Sequence, residues 1–418
     1  MKRPTPASLK RVTPENLERL GAARLAELLV EVAGSRPELK RRLRMELAAE
    51  QGAEHLLPEI DRRLAAVAKS RGQVSWRQRA AFVRDLDGLR QLIAERLAKL
   101  DAAAARDRIL RFLGLAGVAQ RRVRDVEGAV AAVFERAAGD AGRLLAAGPL
   151  SEGAAALASA MAEAPAAWGR WAPAMFAAGG APLAAAVLPF VRHRTGPPWS
   201  QVLRHVADAA GDAELFRDTF KAEELQTPAV AAEVASRLIG ARRLEDARAV
   251  LEGAVKPGLF RRGRHGRAAP DFAWETAWIA YLEASGQGDA AQEARWASFQ
   301  RTLSPERARA ITARLADFAD VEAEQRMFEI AADHPEADAA LAFLTAWPAL
   351  PEAAALVAAR IDELTAPPSQ LELWAGSLRR RYPAAAQVLL RRAAAQAFRR
   401  REFGTSERLT QEADALDR

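Results

Sequence analysis

Cysteine is absent, tyrosine occurs twice and histidine five times in 418 residues. Without cysteine there can be no disulfide, thiolate metal site or cysteine nucleophile. The histidines are His55, His193, His205, His265 and His334. None makes an H-x-x-x-H or H-x-x-E-H spacing, so no zinc ligand set is assembled locally and no metal is expected. Each reads as a surface or capping residue, and His334-Pro335 reads as a helix end. Walker, G-x-G-x-x-G, G-x-S-x-G and kinase signatures are missing as well. No cofactor is therefore expected, and the reading leans away from catalysis. The opening stretch MKRPTPASLKRVTPENLERL has no apolar core of a secretory signal, so a cytoplasmic protein is expected.

Aromatic residues are scarce at 6%, and segments rich in Val, Ile, Thr and Tyr are nearly lacking. Alanine dominates instead, which favours close-packed helices over sheets. One uncharged run, WAPAMFAAGGAPLAAAVLPFV at 171–191, is long enough to span a bilayer. Its eight alanines, Gly179-Gly180, Pro182 and Pro189 predict two short buried helices with a turn at GGAP, and no membrane partner.

What is abundant is arginine, unevenly placed. Residues 1–125 hold 27 Lys and Arg against 16 Asp and Glu, while the remainder holds 34 against 38. A basic module joined to a near-neutral one is expected. Within it, SRPELKRRLRMELAAEQG (35–52) offers a capping box at Ser35 and Glu38 and an apolar stripe at Leu39, Leu43 and Leu47. Arg41 and Arg44 then point away from that stripe. Lys40, Arg41, Arg44, Arg62, Arg63 and Arg77 are candidate phosphate contacts, with solvated helix faces as the plainer reading. The loop GLFRRGRHGRAAP (258–270) adds Arg261, Arg262, Arg264 and Arg267, although Phe260 is its only aromatic and base stacking has little support. The acidic group Asp317, Asp320, Glu322 and Glu324 is read as a helix N-terminus, with Asp320 as the cap.

Three regions are expected: a basic helical module over 1–125, an Ala/Gly/Pro-rich helical middle over 126–230, and a helical-hairpin solenoid over 231–418. In the last region turns fall near Gly240, Gly286–Gly288, Asp317–Asp320, Trp347–Pro351 and Tyr382-Pro383. Two short helices per unit at that spacing suggest a tetratricopeptide-like α-solenoid in an all-α chain. Trp274, Trp278, Trp296, Trp347 and Trp374 are read as wedges between helices, or alternatively as the lining of a protein-binding groove.

The strings LERLGAARLAELLVEVAGSRPELKRRLRMELA, SWRQRAAFVRDLDGLRQLI, EARWASFQRTL, LADFADVEAEQRM, ALAFLTAWPALPEAAALV and RYPAAAQVLLRR resemble an uncharacterised helical family common in proteobacteria, a domain of unknown function. That resemblance implies an all-helical protein with a repeat-like C-terminal part. It implies no activity and no site residues. The function expected is a non-catalytic cytosolic interaction scaffold with a protein or peptide partner. The alternative is a nucleic-acid-associated protein using the basic module and the 258–270 loop.

Overall fold

The computed structural model describes residues 12–254, 271–316 and 318–417, and these contain helices and no strand. They fall in two compact units, one ending at Lys221 and one beginning at Ala222.

The first unit opens with α1 (Pro14–Glu18), α2 (Gly21–Ser35), α3 (Pro37–Gln51) and α4 (Ala53–Lys69). Thr13 caps α1 with its hydroxyl, which accepts from the Asn16 N–H at 3.4 Å, and Pro14 follows at N1. The capping box expected at Ser35 does not form. Arg36 is the N-cap of α3, and the Ser35 hydroxyl turns back to donate to Val32 O at 3.0 Å. Pro37 alone pre-sets the first turn.

The buried line of α3 also differs from the leucine stripe. Met45 and Ala49 are buried, Leu39 and Leu43 are half-buried, and Leu47 is 66% exposed. Arg41, Met45 and Ala49 lie at i, i+4 and i+8, so the helix turns Arg41 inward rather than outward. The reason is an acid on the neighbouring helix, Asp85, described below.

Helix α5 begins as Trp76–Gln91, widens into a π-helical segment at Leu92–Leu97, and ends with Ala98–Leu100. The widened segment holds Leu92, Ile93 and Leu97 in the core. Then come α6 (Ala102–Gly114), α7 (Ala116–Arg121), α8 (Ala129–Ala146), α9 (Leu150–Glu163), α10 (Pro165–Val191), α11 (Pro197–Ala210) and α12 (Ala213–Asp218). Helix α10 is, among the described residues, the one helix long and apolar enough to cross a membrane. It breaks at Gly180 (φ 78°, ψ 171°), where the GGAP turn was expected. Both halves bury apolar residues, and α10 packs on α8, α9 and α11. One hydrophobic core runs from Met45 to Val206 and includes the stacked pair Phe112–Phe134 at 4.9 Å.

Glycine permits the crossing of α8 and α10. A Cβ on Gly142 would collide with the Met175 carbonyl oxygen and come within 3.0 Å of Gly179 N. Because those obstacles are backbone, they cannot swing aside.

The second unit contains α13 (Ala222–Leu225), α14 (Pro228–Gly240), α15 (Leu244–Ala254), α16 (Phe272–Ala284), α17 (Gly288–Thr302) and α18 (Pro305–Thr312). It continues with α19 (Ala319–Asp333), α20 (Ala337–Ala346), α21 (Leu350–Arg360), α22 (Pro368–Leu378), α23 (Pro383–Arg399) and α24 (Phe403–Asp414). The turns expected near Gly240, Gly286–Gly288, Trp347–Pro351 and Tyr382-Pro383 fall at junctions between these helices; of the one expected at Asp317–Asp320, Asp317 lies outside the described residues and Asp320 is already in α19. From α14 onward, helices pack on the next helix in the chain and, at several points, on the next but one. A core from Phe299 to Ala413 runs through α17 to α24.

A polar network binds α16, α17 and α18. Ser298 donates to Glu275 at 2.6 Å and accepts from Arg307 Nε at 3.0 Å, and Arg301 also pairs with Glu275. Arg307 lies 4.1 Å from the centre of the Phe272 ring. Arg295, fully buried, pairs with Glu283, which Arg314 reaches at 2.5 Å.

Gly142→Ala is expected to lower the unfolding free energy of the first unit by about 1–3 kcal/mol or more, from forced separation of α8 and α10. Urea unfolding followed by circular dichroism measures it. An unchanged midpoint would mean that the two helices are not held at this distance.

Candidate interaction surfaces

The basic module places its arginines unevenly. Arg41 donates to Asp85 from both Nε (3.3 Å) and Nη2 (3.0 Å), and Arg63 pairs with the other oxygen of the same carboxylate. Asp85 is itself buried, at 7% side-chain exposure. Two of the six candidate phosphate contacts are thereby drawn into a three-helix clasp of α3, α4 and α5. Lys40 and Arg44, one turn apart on α3, are exposed and form no side-chain pair among the described residues. Arg62 pairs with Glu59 on its own helix at 2.6 Å. Arg77 lies over the Trp76 ring, 5.2 Å from its centre, about 12 Å along α5 from Asp85 at the usual helical rise. Arg261, Arg262, Arg264 and Arg267 lie outside the described residues.

Deeper in the unit, Arg90 pairs with Asp87 and with the buried Asp140. Burial alone would lower the Arg90 pKa, but the bonds it donates to Asp87 and Asp140 outweigh it and hold the guanidinium above its ordinary value.

The tryptophans of the second unit are occupied by packing. Trp274 and Trp278 stack at 5.6 Å with 8° between planes, and Trp274 Nε1 donates to Leu251 O at 3.0 Å. Trp296, Phe299, Phe343 and Trp347 form a row with centroid steps of 6.2, 5.0 and 5.9 Å. Arg326 covers Trp296 at 4.4 Å, and Trp347 donates to Glu324 at 3.1 Å. Trp374 is 5% exposed in the core. Trp274, Trp278, Trp296 and Trp347 are half-buried.

The acidic group is likewise structural. Phe318, rather than Asp320, is the N-cap of α19, and Asp320 sits in the first turn accepting from the Val321 N–H at 3.0 Å. Asp317 lies outside the described residues. Among the described residues no group of three or more acidic or histidine side chains could hold a metal. His334 ends α19 as expected, its Nδ1 accepting from the Glu336 N–H at 3.1 Å.

An open groove of about 850 Å³ in the first unit was not foreseen. It lies between α4, α6, α9 and α10. Alanines form much of its wall (Ala68, Ala156 and Ala167 among them), over Leu110, Trp168 and Trp171. Trp168 is fixed by donating Nε1 to Ala160 O at 3.0 Å. Its rim arginines are paired, while Glu163 makes no ion pair among the described residues. Arg106 reaches Glu152 at 3.6 Å, and Arg111 reaches Asp61 at 2.9 Å. Gly148 leaves room for the Arg106 guanidinium, which a Cβ there would overlap. Four helices build the groove, so no local spacing reveals it. The alanine-rich composition of the middle region is the only related signal in the sequence.

Asp61 accepts from Arg108 at 2.9 Å, which with Arg111 holds its pKa below the ordinary carboxylate value. A depressed folded-state pKa adds stability that is present above the unfolded value, about 3.9, and is lost as pH falls through the folded value. Urea midpoints should therefore fall below about pH 4, less steeply in Asp61→Asn. Equal acid slopes would remove Asp61 from the account. Asp85→Ala strands two guanidiniums side by side and is expected to cost about 1–3 kcal/mol, discounted for the exposure of Arg41. A urea midpoint equal to that of the parent would show that the clasp contributes nothing.

No curated protein and no solved structure matches this chain. The sequence model of a family of unknown function, DUF6880, matches residues 7–176 and 189–418, leaving out the first six residues and the stretch around the Gly180 break. The helical chain described above belongs to that family.

Proposed function

We propose that the protein is a cytosolic, non-catalytic interaction scaffold, and that the groove of the first unit receives an amphipathic helix of a protein partner. The observation that carries this reading is the groove itself, with small alanine walls over a floor of leucine and tryptophan. Apolar grooves of this build accept a helix through residues at i, i+3 or i+4 and i+7. Its rim favours docking over chemistry. Its two guanidiniums are tied to carboxylates, Ser159 is the only hydroxyl in the lining, and no histidine lines it.

The sequential packing from α14 onward supports an α-solenoid of tetratricopeptide-like hairpins, which would supply a second, extended surface. Phosphate binding through the basic module has less support, because Asp85 engages two of its arginines.

A display selection of helical peptides against the full chain tests the groove. It should return apolar residues at the spacing above. The double variant Ala156→Arg, Ala167→Glu, at exposed wall positions, should weaken those peptides by about ten-fold or more. Peptides that lack the spacing, or that bind the variant equally well, would refute the groove as the docking site.

A further inference from the structure

The corner between α23 and α24 carries the sequence Phe398-Arg399-Arg400-Arg401-Glu402-Phe403. Backbone hydrogen bonds hold the corner in place: Arg401 N to Phe398 O at 2.9 Å and Glu402 N to Ala397 O at 3.0 Å. Two phenylalanines stand on it at 61% and 57% exposure, packed edge to face with centroids 5.4 Å apart. Between them in the chain, Arg399, Arg400 and Arg401 are all exposed, and none makes a side-chain hydrogen bond or ion pair among the described residues. Arg380 and Arg381 share that state, whereas several other arginines of the same unit are paired. Arg379 and Arg408 both hold Glu412, and Arg392 donates to Asp362 O and Leu364 O.

Helix-end electrostatics accounts for Arg399, in the last turn of α23, where a cation faces the carbonyl end of the helix. It does not account for Arg401. That residue has φ 64°, the left-handed conformation in which a helix ordinarily ends on glycine. The chain thus holds an arginine where the backbone favours glycine, and nothing inside the fold uses its charge.

We propose that this corner binds single-stranded nucleic acid, with Arg399, Arg400 and Arg401 on the phosphates and Phe398 and Phe403 stacked against bases. Unpaired guanidiniums call for an anion, and exposed ring faces call for a flat apolar group; a nucleotide strand supplies both at adjacent positions. An anionic bilayer would also meet the cations. A plane, however, would press against the exposed carboxylates Glu402 and Glu407, the latter one turn beyond Phe403, whereas a strand one nucleotide wide need not touch them. The site is separate from the groove and goes beyond the scaffold reading. It offers two rings, where the 258–270 sequence has only Phe260.

Fluorescence anisotropy of the full chain with labelled oligouridine and oligodeoxythymidine, each about 12 nucleotides long, tests the proposal. With three phosphates neutralised, the dissociation constant should rise about 20-fold between about 50 and 200 mM salt. The variant Arg399→Ala, Arg400→Ala, Arg401→Gly should lose binding. Its thermal midpoint should hold or rise, because glycine suits the left-handed position. Phe398→Ala with Phe403→Ala should weaken binding by roughly ten-fold or more while leaving the salt dependence in place. Absence of binding at low salt, or binding that the arginine variant retains, would overturn the proposal. So would a chain that ignores both oligonucleotides yet binds anionic phospholipid vesicles through the same arginines, since the corner would then be a membrane contact.

Discussion

Contact faces made largely of alanine impose the governing constraint on this protein. Alanine is the best helix former and lets helix axes approach closely, but each residue buries little area. Close approach therefore has to be completed by something larger or more directional at a few positions. At the crossing of α8 and α10 the completion is geometric, glycine against backbone. In the second unit it is aromatic: the Trp296–Phe299–Phe343–Trp347 row fills the space between α17 and α20 that small side chains leave open.

Ion pairs carry the rest of the specificity. Asp85, Asp140, Glu275 and Glu283 each sit at a junction of helices and each engages at least two arginines. Glu275 reaches its second, Arg307, through the hydroxyl of Ser298. Such pairs contribute less net stability than their Coulomb energy suggests, because desolvation offsets it. Their effect is on register. A carboxylate that must face two guanidiniums admits one rotation of each helix, where a smooth alanine surface would admit several. The arginine excess of the chain is thus partly internal structure, and only the residue left over is available to anions.

That division explains why the basic surface was hard to read in advance. Arg41 and Arg44 are three residues apart and have the same side chain, yet one is clasped by Asp85 and the other is exposed. Nothing local distinguishes them, because Asp85 lies forty-four residues downstream of Arg41. Leu47 misled for the same reason: the leucine spacing marks an apolar stripe, but the inward face of α3 is chosen by its neighbours. The Phe398–Phe403 corner, by contrast, is contiguous in the sequence, but that its arginines lack partners is visible only in the folded chain.

The sequence by itself determined the helical class, the helix breaks and most turns, because propensity, proline and glycine act within a few residues. It also excluded cysteine chemistry outright and placed the break within 171–191. Tertiary structure decided which face of each helix is buried, which arginines are consumed, and that four helices leave a groove over Trp168 and Trp171. Those outcomes depend on contacts between residues tens of positions apart. Short-range periodicity holds no information about them, since every alanine-rich face offers nearly the same surface to any partner.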